Sequence, residues 1–250
     1  MLAEGLLEKT HPQALFALHV TNQFAVGTVR LAPGAAKAGA DALEIVVTGR
    51  QVHAARPWEG VDPIVAAAQI VLGLQTVISR QVDPTASPAV LSIGMIHGGV
   101  RPNIIPDTVT LSGGLRWFDE HGRMSVRGKV ERMTQGIAVG SGASATVAFT
   151  ALAPPVVNGA GLVRSMASTL AALHVTPSGP SPTSDDVAYV VERVPGLYLF
   201  LGGTPAGVDP TSTASNHSPQ FFVDEGAVLV GIRTMAALAM DYGVRAAQAR

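Results

Sequence analysis

Hydrophobic and polar positions along the chain change period several times, and those changes predict an order of elements. Residues 41–50, DALEIVVTGR, alternate as a half-buried strand does. Residues 62–80 repeat apolar side chains at helical spacing, with Asp62 placed to cap and Pro63 suited to the first helical position. VLSIGMIHGG (90–99) and DTVTLSGGLRWFD (107–119) then read as strands. A second helix is predicted over 121–139, where Met124, Val126, Val130, Met133, Ile137 and Val139 fall near helical spacing, and SATVAFTA (144–151) closes as a strand. The order β-α-β-β-α-β is the split pattern of a ferredoxin-like sandwich.

Different material flanks this unit. LFALHV and VGTVRLAP before it predict two strands. After it come a helix near 160–173, a helix around Asp186–Val194, a buried strand GLYLFLGG (196–203) and a terminal helix from about Asp224 to Tyr242. Strands and helices on both sides predict one α/β domain, residues 1–37 and 153–250, into which the sandwich, residues 38–152, is inserted. The segment Gly203–Ser215, rich in Thr, Pro, Ser and Gly, is a loop that delivers His217.

Composition narrows the function. Hydrophobic residues make up 47% and charged residues 14% with a net charge of −1, so neither disorder nor nucleic-acid binding fits. With no cysteine, disulfides, thiolate metal sites and cysteine nucleophiles drop out, and a reducing cytoplasm is the expected setting. The start, MLAEGLLEKTHP, lacks the basic-then-apolar order of a signal peptide. The long helix pattern of 62–80 carries Gln69, Gln75 and Arg80 and reads as a core helix, so no membrane is expected as a partner.

The chemistry-bearing candidates are scattered. His19 closes LFALHV and His217 sits in the turn-like SNHSPQFFVDE. A histidine at a strand end is held rigidly, as a metal ligand must be, although a satisfied or surface histidine fits as well. His53 lies in an Arg-flanked loop. Asn103 is framed by Gly98, Gly99, Pro102 and Pro106, which can aim an amide at a ligand or merely serve a turn. Arg116 near a strand end can clamp a carboxylate or pair with Asp119 or Glu120. Asp185 and Asp186 read first as a helix-capping pair and second as a metal or base pair. G-x-S-x-G, S-x-x-K, the P-loop motif and H-E-x-x-H are all absent.

Taken in order, ALHV, VHAARPWEGVDPIVAAAQIVLGLQTVISRQVDP, SIGMIHGG, NIIPDTVTLSGGLRWFD, PPVVN, SDDVAYVVERVPGLYLFLGG and NHSPQFFVDE resemble the metal-dependent amidohydrolases of the hippurate hydrolase, auxin-conjugate hydrolase and aminoacylase group, relatives of the carboxypeptidase-G2-type dizinc peptidases. The resemblance implies a catalytic α/β domain with an inserted ferredoxin-like lid that forms a homodimer, and hydrolysis of an amide or ester bond in a small acylated substrate. It implies metal ligation by His19 and His217 with zinc or manganese as cofactor. It also implies charge stabilisation by His53 across the dimer, and substrate-carboxylate binding by Asn103 and Arg116. The family's acidic pair falls on Asp185 and Asp186. The family's GGHGAMPH stands here as QVHAARPW, with Gln51, Val52 and Ala54 in place of glycines. Its front ligands and its Glu-Glu pair would precede Met1, so the expected outer domain is truncated and its metal occupancy low or nil. Two alternatives follow: a metal-free, serine-type esterase using Ser184, Asp186 and His217 or His53, and an inactive dimeric binding protein.

Overall fold

Helical and strand periods are sorted into two units in a computed structural model that describes residues 1–248. The inner unit is Ala38–Pro155 with Pro182–Ser184; the outer unit is Met1–Lys37, Val156–Ser181 and residues 185 onward. In chain order the outer unit begins with α1 (Leu6–Thr10), β1 (Leu15–Ala25), β2 (Val29–Leu31) and β3 (Ala35–Lys37). The inner unit follows with β4 (Gly39–Thr48), β5 (Val52–His53), α2 (Pro63–Gln81), β6 (Ala89–Gly98), β7 (Ile104–Ile105), β8 (Thr108–Trp117), α3 (Glu120–Gly140) and β9 (Ser144–Ala153). The outer unit resumes with β10 (Val156–Val157), α4 (Ala160–Ser165), α5 (Ala167–Ala172), β11 (Thr176–Pro177), α6 (Ala188–Val191), β12 (Gly196–Thr204) and α7 (Gly226–Gln248).

The inner unit is the expected ferredoxin-like α+β sandwich. Its sheet runs β6-β8-β4-β9 with every neighbour antiparallel. The period-2 alternation of β4 turns Leu43, Ile45 and Val47 inward, where they join Leu111 and Leu115 of β8. Ala66, Ala67, Ile70, Leu74 and Val77 of α2, with Val126 and Val130 of α3, complete this core. Asp62 caps α2, its carboxylate accepting from the amides of Ile64 and Val65, with Pro63 next to it as the sequence predicts. Asp119 caps α3 by accepting from the Gly122 amide at 2.7 Å. Gly73 lets the two helices meet, since a Cβ there would lie 2.6 Å from Ile137 Cδ1. Asp41 has a fully buried carboxylate, and Arg123 satisfies it with two bonds of 2.8 and 2.9 Å.

The outer unit is a mixed sheet in the order β1-β12-β2-β11, with β1 parallel to β12. All nine residues of β12 are buried, which explains its unbroken apolar run. Leu197, Leu199 and Leu201 face one side with Phe16 and Leu18, against α4, α5 and α7. Tyr198 and Phe200 face the other with Ala17. β1 has a sheet neighbour on one side only among the described residues. α7 buries Ala227, Gly231, Thr234 and Leu238 and exposes Val228, Ile232 and Met240.

Three expectations are corrected here. The helix near 160–173 is two short helices broken at Met166, where Ser165 bonds back to the Leu162 carbonyl and Thr169 is drawn to Asp241 of α7. The helix around Asp186–Val194 is the single turn α6, where the β-branched Val190 and Val191 disfavour a longer helix. β1 does not end at His19 but runs on to Ala25, with an irregularity in its pairing after Thr21.

Candidate active site

His19 takes its direction from strand alternation. Phe16 and Leu18 are committed to the α7 side, so Ala17 and His19 point to the opposite face, where the His19 ring lies 6.2 Å from the ring of Tyr198. Its Nδ1 is 2.8 Å from the Val20 carbonyl oxygen. Only an N–H can make that contact, so Nε2 keeps its lone pair for a ligand. Burial, and after it the positive charge of Lys37, hold the His19 pKa below its ordinary 6.5, so the imidazole is neutral at physiological pH.

His217 is exposed, on the loop between β12 and α7, and has φ of 70°, a left-handed backbone that a histidine rarely adopts. Its neighbour Asn216 donates through Nδ2 to the Val20 carbonyl at 2.9 Å, the acceptor that also serves His19. One carbonyl thus fixes both the first histidine and the loop carrying the second. Their proximity shows in the His217 charge being among those that lower the His19 pKa.

The acidic pair divides. Asp185 is committed: its Oδ2 accepts from Lys37 Nζ at 3.1 Å and from Tyr198 Oη at 2.6 Å, and its Oδ1 accepts from the Val187 amide at 3.1 Å. Burial would raise the Asp185 pKa, but these three donors outweigh it and the pKa falls. The Tyr198 hydroxyl is pushed far up by burial and by the carboxylate it serves. The capping role expected of this pair is corrected, since the one-turn helix α6 has no side-chain cap. Asp186 is exposed, and its charge adds to the raised Tyr198 pKa.

In the inner unit, β5 pairs with β7, which sets His53 opposite Ile104. The Ala54 amide donates to the Asn103 carbonyl at 3.0 Å, so the loops of His53 and Asn103 are tied together. His53 Nδ1 accepts from the Ala55 amide at 3.1 Å, which leaves Nε2 as the protonated, donating nitrogen of the neutral ring. Arg116 Nη1 donates to Ser184 Oγ at 3.1 Å. Asp119 and Glu120, its expected alternatives, instead cap α3 and pair with Arg123.

Lys37 and Tyr198 are site neighbours that the sequence reading missed. A signal existed for each: Lys37 is a single cation inside the small-residue run Gly34–Ala40, and Tyr198 is the one hydroxyl among the apolar residues of GLYLFL. Two imidazoles with one open nitrogen fit part of a metal-ligand set. Among the described residues no group of three or more His, Asp or Glu side chains gathers to complete it. A catalytic zinc site takes three protein ligands, so these residues alone do not fit a resident ion.

His19 and His217 thus lie in one α/β unit, whose sequence is interrupted by a ferredoxin-like unit. Residues 36–139 match the peptidase dimerisation domain of the M20 type. The chain is 37% identical over 219 residues to an N-acetyl-L-cysteine deacetylase of Bacillus subtilis, covering 86% of this chain and 50% of the relative. It is 32% identical to an IAA-amino acid hydrolase of Arabidopsis thaliana, covering 97% of this chain and 55% of that one. A Bacillus subtilis structure described as a dinuclear metal-binding peptidase of the M20 family superposes with a TM-score of 0.74 at 29% identity, over 95% of this chain and 59% of that chain. These matches support an M20 amidohydrolase family for the chain. It spans about half the length of the first relative, 50%, and 55% of the second.

Proposed function

We propose that this chain forms part of a cytoplasmic hydrolase that cleaves the amide bond of small N-acylated amino acids, with His19 and His217 at the cleft. The observation that carries the reading is the His19 ring: its Nδ1–H is spent on Val20, its Nε2 is open, and the same carbonyl anchors the loop of His217. Relatives named as deacetylases of N-acetylcysteine and of N-acetyldiaminopimelate support the substrate class. Zinc or manganese suits imidazoles joined by carboxylates, and of those ligands these residues supply the imidazoles.

The remaining residues take roles suited to their geometry. Water adds to the acyl carbon, the C–N bond breaks, and a carboxylic acid and an amine leave. The donating Nε2–H of His53 is suited to the negative oxygen of the tetrahedral intermediate, and in a homodimer formed through the lid it serves the partner's site. Arg116 offers the substrate carboxylate a guanidinium held in place by Ser184, and Asn103 adds an amide. A hydroxyl that accepts from arginine is a positioning group, which sets Ser184 apart from a nucleophile, while Asp186 remains an exposed carboxylate near Tyr198.

The test is amine release by the purified chain from N-acetyl and N-benzoyl amino acids and from the corresponding activated esters, with and without chelator. Weak amide turnover, faster ester turnover, and loss of the amide reaction on Arg116→Ala are expected. Turnover indifferent to the substrate carboxylate, or absent for every acylated substrate, would end the proposal.

A further inference from the structure

We infer that Asn22 is the positioning residue for His217, an inference that rests on the two-histidine reading above. Asn22 lies three residues beyond His19 on β1 and is 5% exposed. Its Nδ2 donates to the Ala214 carbonyl at 3.1 Å and to the Phe222 carbonyl at 2.8 Å. Those two carbonyls bracket the segment 215–221, with His217 near its middle. One amide therefore closes the neck of the loop.

The grip is reinforced through the backbone. Thr204 Oγ1 donates to the Asn22 carbonyl at 2.7 Å, so strand β12 meets the same residue; the single hydrogen of Thr213 Oγ1 goes to the Pro210 carbonyl at 2.8 Å, with the Asn22 carbonyl 3.3 Å away. The amide cannot be turned over, because flipping it would set Oδ1 against two carbonyl oxygens. As it stands, Oδ1 is buried without a partner among the described residues, beside Gly203, where an added Cβ would sit 3.1 Å away. Leaving a buried acceptor unpaired is costly, and so is holding His217 at φ of 70°. Both costs fall on one clamp, and its product is a fixed place for the His217 imidazole relative to His19. A residue serving only the core would not need both of its amide hydrogens on the loop that carries a candidate ligand.

The clamp is tested by Cu²⁺ titration of the full chain, since copper binds imidazole most tightly among the divalent first-row ions. The readouts are broadening of the His19 and His217 Cε1–H resonances, assigned with His19→Gln and His217→Gln, and the number of coordinated nitrogens by electron paramagnetic resonance. In the parent chain both histidines should respond together. In Asn22→Ala the His19 response should stay at the parent concentration, while that of His217 moves to at least about tenfold more copper, the size usual for loss of a supporting shell. Asn22→Ser, which can serve only one carbonyl, should fall between the two and covers the case in which the alanine variant does not fold. Joint broadening unchanged in the folded variants overturns the role of Asn22 and leaves the histidine pair standing. Equal weakening of both histidines also overturns it, because that marks a general structural effect. If the two histidines of the parent chain respond independently, the two-histidine reading itself fails, and the inference with it.

Discussion

Replacing Asp185 by Ala removes the anion that pairs with Lys37 among the described residues. The Lys37 side chain is 5% exposed and that of Asp185 15%, so the ammonium would be left in a dry site without the carboxylate that accepts from it. The Tyr198 hydroxyl, bonded to the same oxygen at 2.6 Å, would lose its acceptor too. Breaking a buried pair from one side costs roughly 3–5 kcal/mol, because the stranded charge pays its full desolvation. The two lost hydrogen bonds are part of that figure and are not added to it. Removing both charges, Lys37→Met with Asp185→Ala, should recover much of the loss, since an apolar replacement no longer buries an ion. Urea unfolding of the single and double variants, followed by fluorescence and far-ultraviolet circular dichroism, measures both quantities. A coupling energy above about 1 kcal/mol is expected for residues in direct contact. A loss below about 1 kcal/mol for Asp185→Ala, or strictly additive variants, would refute the picture of a dry, mutually dependent pair.

Asn158→Ala should cost roughly 2–4 kcal/mol, since this 2%-exposed amide donates to the Ala32 and Tyr198 carbonyls and accepts from the Tyr198 amide; an unchanged urea midpoint would contradict it. The depressed pKa of His19 makes stability depend on pH with a definite sign. Below the ordinary value of 6.5 the unfolded chain takes a proton that folded His19 resists, so stability falls as the pH drops through 6.5 towards the folded pKa and then levels off. The drop between about pH 7.5 and about pH 5.5 should be smaller in His19→Gln than in the parent, and an equal or larger drop would show that His19 is not the source. A homodimer through the lid predicts twice the chain mass in sedimentation at micromolar concentration. Ile96→Lys, on the edge strand β6 where Ile96 is 58% exposed, should weaken it. A strictly monomeric parent chain would remove this interface.

The inner unit was legible because local and global signals agree there. Asp62 and Pro63 mark the start of α2, Asp119 caps α3, and the alternation of β4 matches its buried face. The outer unit was less legible where tertiary partners override local preference. Met166 breaks a helix that apolar spacing predicts as continuous, and Asp185, which keeps the local Val187 amide on Oδ1, binds through Oδ2 to Lys37, which is distant in sequence. The candidate site shows the same division. His53, Asn103 and His217 were singled out by punctuation and family resemblance, because Gly- or Pro-framed loops advertise themselves, whereas His19 rested on the resemblance and on a strand end that lies instead at Ala25. A lone cation and a lone hydroxyl in apolar runs mark Lys37 and Tyr198, but the partners through which they and Asn22 act are brought near only by the fold. The Arg116–Ser184 bond belongs with these, joining residues that the sequence offered for separate tasks.

The proposed function places the hydrolysis at His19 and His217. Steady-state hydrolysis of an N-acyl amino acid and of an activated ester, compared between the parent and His217→Ala, tests it most directly. Ser218 is the next residue in the loop and Phe221 bonds back to it, so the substitution should leave the fold intact by circular dichroism. A loss of at least about tenfold in kcat/KM for both substrates is expected, equivalent to roughly 1.4 kcal/mol of lost transition-state stabilisation. Undiminished turnover by a folded His217→Ala chain would contradict it and move the chemistry elsewhere in the molecule.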